Sequence, residues 1–164
     1  MRRNSSSTRP LRRSGFSIIE AVVVISVVGI LAAVAAPRLM SISDLNGAHA
    51  HRQVLADLRF AQQRATGSGC PVQVDFEAGR YTLTQRVDCR SGAFTRPLFD
   101  PVTNLPPYSV DLPGGLSITS DVDPLVFDTL GRVTTVAGVV TDASISVAGR
   151  PLAAIGETGL VRVP

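Results

Sequence analysis

Lysine is absent from this 164-residue sequence, so all 16 basic residues are arginines, and only 18% of the residues are charged. The chain also lacks a G-x-G-x-x-G segment, a P-loop and any zinc-type spacing of cysteine and histidine, which argues against nucleotide and structural zinc sites. It has two histidines and two cysteines. No arrangement of nucleophile, base and acid is evident, so we expect no enzyme and no cofactor.

The positive charge is unevenly distributed. Five arginines and no acidic residue precede Gly15, and without them the formal net charge of +3 becomes about −2. The basic balance therefore belongs to the N-terminal segment and does not predict nucleic-acid binding. Further along, Arg132, Arg150 and Arg162 are isolated from one another in sequence. We interpret Arg150 and Arg162 as solvent-facing strand residues and expect no nucleic-acid partner.

One long apolar run begins just after the basic segment. Residues 16–36 contain no proline and a single charge, Glu20. As a helix they would extend roughly 30 Å, enough to cross the hydrocarbon core of a bilayer. The arginines before the run would remain cytoplasmic, which places the rest of the chain in an oxidising compartment. The sequence thus predicts a single-pass membrane segment.

An ordinary secretory signal peptide is the main alternative interpretation of this run. Ala33-Val34-Ala35 resembles a signal-peptidase site, and cleavage there would release a soluble periplasmic binding or adhesion module. The run is longer than the usual apolar stretch of about 7–15 residues, and the charge of Glu20 is atypical of such a signal. A plain membrane anchor without an assembly role is a further alternative.

An amphipathic helix is predicted after Pro37, where a proline would kink or interrupt a continuing helix. Val54, Leu58, Ala61 and Ala65 recur at helical spacing. Gly67 to Gly69 are expected to end this helix.

From Cys70 onward the apolar periodicity changes to two, which is typical of strands. A turn at Gly79-Arg80 would place Phe76 opposite Leu83, Val72 opposite Val87, and Cys70 opposite Cys89. Opposed residues of an antiparallel pair have Cβ atoms about 4.5–5.5 Å apart, close to what a disulfide requires. The hairpin register therefore predicts a Cys70–Cys89 disulfide.

Residues 97–115 contain five prolines and are expected to form a long irregular loop. Glycine-punctuated short strands are predicted to follow, at 116–120, 125–128, 132–136, 143–148, 151–155 and 159–163. The expected fold class is α+β, with a long N-terminal helix packed on an antiparallel β-sheet domain.

No metal site is expected. His49 and His51 point about 200° apart on a helix and are interpreted as surface residues. Asp121, Asp123 and Asp128 match no calcium-loop spacing and are interpreted as turn residues.

The segment GFSIIEAVVVISVVGILAAVAAPRL resembles the processing signal of type IV prepilins and type II secretion pseudopilins. The resemblance implies cleavage by a prepilin peptidase between Gly15 and Phe16, N-methylation of Phe16, and assembly into a filament with other pilins or pseudopilins. Glu20 and Pro37 also match the family pattern. The implied division is a leader at 1–15, a transmembrane and assembly helix at 16–36, its amphipathic continuation at 37–69, and a periplasmic domain at 70–164.

The resemblance also gives Glu20 a role. A carboxylate costs roughly 2.5–3.5 kcal/mol at the centre of a membrane helix, so a charge retained there calls for an explanation. In the family this glutamate pairs with the N-terminal amine of a neighbouring subunit. Because an unpaired buried charge is unfavourable, such pairing would select one stagger between subunits.

The rest of the chain is similar to the GspH/FimT group of minor pilins and pseudopilins. The similarity lies in LADLRFAQQRATGSGCPVQV, LVFDTLGRV and ISVAGRPLAAIGETGLVRV. It implies a minor subunit of a type II secretion pseudopilus or of a type IV pilus. Some members of the group bind DNA during uptake, which stays an alternative.

Overall fold

The computed structural model describes the backbone of residues 17–164 and the side chains of residues 17–33 and 44–164. The chain divides into two compact units, residues 1–41 and 42–164. One helix, α1, spans Ile18–Ser68 and contributes to both units, and ten short strands follow it. The predicted α+β class is confirmed.

In the first unit, α1 carries apolar side chains in nearly every direction. Exposed fractions include 86% for Ile18, 67% for Ile25 and 62% for Leu31. Among the residues that the structure describes, no helix is both long and apolar enough to cross a membrane.

In the second unit, α1 presents one buried face to the sheets. The predicted stripe of Val54, Leu58, Ala61 and Ala65 is confirmed, since each is at most 1% exposed. Ala50 extends this stripe by one turn towards the N-terminus. Positions three and four apart share a helix face, so these small and branched side chains let the strands approach closely. The helix ends at Ser68, and Gly69 follows with φ 64°.

The first sheet has the order β3-β2-β1-β6-β7. Its central hairpin is β1 (Val72–Glu77) with β2 (Arg80–Gln85), and β6 (Leu125–Phe127) with β7 (Val133–Thr134) completes one side. The other edge of β2 pairs with β3 (Arg96–Pro97) and β4 (Tyr108–Asp111). All of these pairings are antiparallel.

The second sheet has the order β10-β9-β8-β5 and is also antiparallel. Its strands are β5 (Ile118–Ser120), β8 (Ala143–Val147), β9 (Arg150–Ala154) and β10 (Val161–Arg162). Ile145 and Leu152 face the same core as Val72 and Leu83 of the first sheet. One apolar core therefore joins α1 and both sheets within residues 42–164.

The predicted turn of the β1–β2 hairpin is wrong by one residue, and each predicted partner on β2 is therefore wrong by two. Val74 pairs with Leu83 and Phe76 with Tyr81, so the turn residues are Ala78 and Gly79. Gly79 has φ 78°, a conformation that favours glycine, and it is the second turn residue. The shift of the pairing moves Val87 beyond the strand, and Val87 is 41% exposed rather than in the core.

Cys70 and Cys89 form a disulfide even though the hairpin register does not oppose them directly. The chain leaves β2 after Gln85 and folds back, with the Val87 N–H donating to Ala93 O at 3.0 Å. This brings the Cα atoms of the two cysteines to 4.3 Å.

The expectation of an entirely irregular segment at 97–115 is also wrong. Tyr108–Asp111 forms β4, which pairs with Arg80–Leu83 of β2. The prolines end at Pro107, and the four residues that follow have their N–H groups free for a strand ladder. The six later strands occur in the predicted order; five are shorter than expected, and β9 has the expected length but begins one residue earlier.

Candidate assembly site

The N-terminal turn of α1 places a carboxylate among apolar side chains. Helical hydrogen bonding begins as the Ala21 N–H donates to Ser17 O at 3.1 Å, and Glu20 lies in the first turn. A negative charge is favoured there because the unpaired N–H groups give the helix N-terminus a partial positive charge. Gly15 and Phe16, the predicted processing residues, lie outside the described residues.

Glu20 is exposed, as are the apolar side chains around it. Within the part of the chain that the structure describes, its carboxylate forms no ion pair. Ile19 and Val23 are 72% and 56% exposed. The arrangement can therefore bind a continuous apolar surface that supplies one cation opposite Glu20.

α1 continues through Pro37. The predicted role of Pro37 in assembly concerns side chains at 34–43, which lie outside the described ones.

In the second unit, a carboxylate on α1 meets two tyrosines of the first sheet. The Tyr81 hydroxyl donates a short hydrogen bond to Asp57 Oδ2. Burial raises the pKa of Asp57, and the Tyr81 and Tyr108 hydroxyls oppose this rise by stabilising its charged form. Burial, followed by the Asp57 charge, raises the pKa of both tyrosines, so they remain neutral donors.

This contact is absent from the sequence-based interpretation. Its signal was the position of Asp57, three residues after Val54 and therefore beside the buried stripe.

Two further side chains connect α1 to backbone carbonyls of the β domain. Arg59 donates to Val161 O from Nη2 at 3.0 Å and from Nε at 3.3 Å. Gln62 Nε2 donates to Gly131 O at 3.1 Å and to Thr158 O at 2.9 Å. These polar contacts fix the helix against two turns and the last strand. The sequence analysis identified neither contact, because both residues lie outside the apolar stripe of the helix.

His51 corrects the prediction of two surface histidines. It is 8% exposed, and its Nε2 lies 3.1 Å from Pro151 O. It lies beside the buried stripe because it precedes Val54 by three residues, and it contacts β9 of the β8–β9 hairpin. His49 is exposed, as predicted.

The acidic residues considered for calcium serve as turn acceptors. Asp128 Oδ1 accepts from the Leu130 and Arg132 N–H groups, both at 2.9 Å. Asp121 Oδ1 accepts from the Ser144 N–H at 2.7 Å, and Asp123 Oδ1 from the Phe76 N–H at 3.2 Å. Across the described residues, no three potential metal ligands lie close enough together to hold an ion.

The structure places the three C-terminal arginines, Arg132, Arg150 and Arg162, in different settings. Arg132 pairs with Asp128 at 2.8 Å. Arg150 and Arg162 are exposed on β9 and β10, as predicted.

Comparison with known proteins adds two findings. Residues 10–36 match the family model of the prokaryotic N-terminal methylation motif. The minor pseudopilin EpsH of the Vibrio cholerae type 2 secretion system is 18% identical, with a TM-score of 0.53, covering 75% of this chain and 97% of that one. The fold is that of the minor pilins and pseudopilins.

Two further structures share this minor-pilin fold. Another structure of EpsH is 19% identical, with a TM-score of 0.50, and covers 69% of this chain and 91% of that one. The type IV minor pilin FimU of Pseudomonas aeruginosa is 15% identical, with a TM-score of 0.53, and covers 71% and 86%. No curated protein sequence matches the chain. The recognition of a pilin-like chain from its sequence is therefore confirmed by the motif and by the fold.

Proposed function

We propose that the chain is a structural, non-enzymatic minor subunit of a type II secretion pseudopilus or a type IV pilus. The single observation that carries the proposal is the combination of an N-terminal methylation motif at residues 10–36 with a minor-pilin fold. In this proposal a prepilin peptidase cuts between Gly15 and Phe16, and the new amine of Phe16 is methylated. Residues 16–36 then hold the chain in the inner membrane, with the β domain in the periplasm.

Glu20 supports the assembly step of this proposal. Its carboxylate stands among exposed apolar side chains, a setting in which an unpaired charge is unfavourable once water is removed. The methylated amine of Phe16 in a neighbouring subunit would supply the missing cation. Only the stagger that brings the two together satisfies both charges, so the pair would select the register between subunits.

Intact mass and N-terminal sequencing of the protein from the membrane fraction test the processing step. We expect a chain that begins at methylated Phe16. A chain that begins near Ala36 would instead establish ordinary secretion of a soluble periplasmic module, and the proposal would be abandoned.

Glu20→Ala tests assembly separately from processing. We expect normal membrane insertion and normal cleavage, with incorporation into filaments reduced at least about tenfold, the effect of losing one desolvated ion pair. Immunoblotting of sheared filaments against the membrane fraction measures the ratio. Asp44→Ala, which removes an exposed acid elsewhere on α1, is the matched control and should leave incorporation unchanged. Normal incorporation of the Glu20 variant would refute the pairing.

A further inference from the structure

The outer face of the first sheet carries two polar groups whose hydrogen-bonding capacity the fold leaves unused. Among the side chains that the structure describes, the buried polar atoms without a hydrogen-bond partner are Thr84 Oγ1 and Arg86 Nε. They lie two positions apart at the end of β2, on the face opposite the buried Gln85. A buried donor without an acceptor is unfavourable, and native folds rarely retain one without a reason. A binding partner that supplies the acceptor is such a reason.

The guanidinium of Arg86 is held in place without being neutralised. It lies 4.6 Å from the centre of the Phe94 ring, which supports one of its faces. Its Nη1 donates to Arg90 O at 3.5 Å, a long and therefore weak hydrogen bond. Within the described part of the chain, no carboxylate forms an ion pair with Arg86. The cation is therefore oriented before any ligand binds.

A surface cleft of about 150 Å³ opens beside Arg86 on this face. Its apolar lining comes from Pro71, Val126 and Val136. Val126 is buried and Val136 is 50% exposed, so the apolar lining extends from the sheet to the surface. A cavity of this size holds a group of about six heavy atoms, such as benzene, and so has room for a carboxylate on a short aliphatic stem.

Asp128 also lines the cleft, but its charge is already compensated. Its Oδ2 accepts from Arg132 Nε at 2.8 Å, and its Oδ1 accepts from the Arg132 backbone N–H at 2.9 Å. Arg86 is the only arginine among the described residues that line the cleft. One guanidinium beside apolar walls suits a single carboxylate, whose two oxygens can accept two parallel N–H bonds. Nucleic-acid phosphates, in contrast, are bound by several cations along a backbone.

We infer that this cleft binds the carboxylate of an aspartate or glutamate side chain from a neighbouring pilin or pseudopilin of another kind. The inference rests on the proposed function, because a minor subunit is surrounded by other subunits in its filament. Charge complementarity supports this occupant. The carboxylate supplies the acceptor that Arg86 lacks, and the guanidinium compensates a charge that the neighbour would otherwise bury unpaired. The pair would favour the neighbour that carries an acid at the matching position.

Binding of a small carboxylate tests the chemistry of the cleft directly. The full-length protein, labelled with ¹⁵N in detergent micelles, is titrated with sodium propionate at constant ionic strength. We expect the Arg86 Nε–H signal to shift and to saturate, as it should when this donor gains an acceptor. Propionamide has the same shape without the charge and should cause no shift at equal concentration. Inorganic phosphate should bind more weakly than propionate, and tighter binding of phosphate would overturn the choice of ligand.

Incorporation into filaments tests the contact with a neighbouring subunit. Arg86→Gln should lower the ratio of protein in sheared filaments to protein in the membrane fraction at least about tenfold, the effect of removing one partner of a desolvated charge pair. Arg90→Gln makes the same chemical change at an exposed arginine of the same loop, outside the cleft lining, and should leave incorporation unchanged.

A second pair of variants tests the cleft without altering Arg86. Val136→Trp places a large side chain in the cleft lining and should prevent both the propionate shift and incorporation. Val139→Trp changes a neighbouring valine that is 61% exposed and outside the cleft lining, so it should affect neither. Thermal melting checks folding, and if Arg86→Gln unfolds the protein, these two valine variants decide the test.

Photocrosslinking identifies the source of the carboxylate. Val139→benzoylphenylalanine places the reactive group beside Gly138 of the cleft lining. In filaments we expect a crosslink to another pilin, in a peptide that contains aspartate or glutamate. A crosslink only to a second copy of this chain would overturn the inference.

A propionate titration without a shift at Arg86, or normal incorporation of the cleft variants, would also overturn the inference. The N-terminus of the same protein is sequenced in parallel. A chain that begins at Phe16 and enters filaments regardless of Arg86 contradicts only this contact, whereas a chain without that processing contradicts the proposed function.

Discussion

Asp57 is a half-buried carboxylate whose pKa is raised in the folded protein. It accepts a hydrogen bond from the Tyr81 hydroxyl, yet burial raises its pKa by more than the two tyrosine hydroxyls lower it. The Asp100 carboxylate raises it further. The charged form of Asp57 is thus stabilised less in the folded protein than in the unfolded chain. The contact of charged Asp57 with the tyrosines therefore comes at some cost in the free energy of unfolding.

The pH dependence of unfolding follows from this pKa. An unfolded aspartate titrates near pH 3.9, about its ordinary value. Between that pH and its raised folded-state pKa, the native protein holds a proton that the unfolded chain has lost, so the contribution of Asp57 to stability falls as the pH rises. We expect Asp57→Asn to remove this decrease and to be more stable than the wild type at pH 7.

Urea unfolding followed by tyrosine fluorescence across pH 3–7 measures this effect. Asp44→Asn, the exposed acid on the same helix, is the control and should leave the profile unchanged. A variant at Asp57 that is less stable than the wild type at pH 7 would mean that the tyrosine contacts outweigh the burial.

At the scale of elements, α1 is locked to two turns that approach each other closely. Gln62 donates to the carbonyls of Gly131 and Thr158, one from each turn. Gly159 has φ 65°, and a Cβ there would collide with Gly131 O and with the amide of Gln62. The absence of a side chain at Gly159 is what lets the helix reach both turns.

Gly159→Ala should therefore disrupt this junction far more than a comparable turn substitution. We expect a loss of about 3 kcal/mol or more in unfolding free energy, because backbone must move in addition to the left-handed strain. Gly149→Ala, with φ 75° and open space around its Cβ position, should cost only about 1–2 kcal/mol. Thermal melts of the two variants compare them directly, and equal losses would show that the close approach is unimportant.

Elements with a strong local pattern could be predicted from the sequence. The stripe from Val54 to Ala65 follows helical spacing, and glycines separate the consecutive strands from β6 to β10. The hairpin register could not be fixed, because both Ala78-Gly79 and Gly79-Arg80 keep Val74 and Leu83 on the core face. A glycine with positive φ fits either turn, and the structure selects Ala78-Gly79 by pairing Glu77 with Arg80.

Contacts between distant residues were the least predictable part. His51, Arg59 and Gln62 are polar residues on a helix, and their sequence positions alone suggest solvent exposure. Each contacts a backbone carbonyl of a strand or turn that lies between 69 and 102 positions later in the sequence. Such partners have no compositional signature, since every residue carries a carbonyl. The glutamate at position 20 was identifiable because a charge is conspicuous in an apolar run.

At the scale of the whole molecule, the proposed processing would reverse the sign of the net charge. Removal of residues 1–15 takes away five arginines and no acid, changing the formal charge from +3 to about −2. We expect precursor and mature protein to separate in isoelectric focusing, with the mature form on the acidic side of neutrality. Cells that lack the prepilin peptidase should accumulate only the basic form. A single basic species in normal cells would contradict cleavage at Gly15.

The Arg59 contact has a consequence for the order in which the protein can be completed. The guanidinium of Arg59 binds the carbonyl of Val161, 102 positions later in the chain. His51 Nε2 likewise contacts the carbonyl of Pro151, 100 positions later. The helix emerges from the ribosome first and these two partners emerge last, so the contacts of the helix with the second sheet form only when synthesis is nearly finished. Contacts of such long range slow folding, so the last strands to be synthesised decide when the helix is fully fixed on the domain.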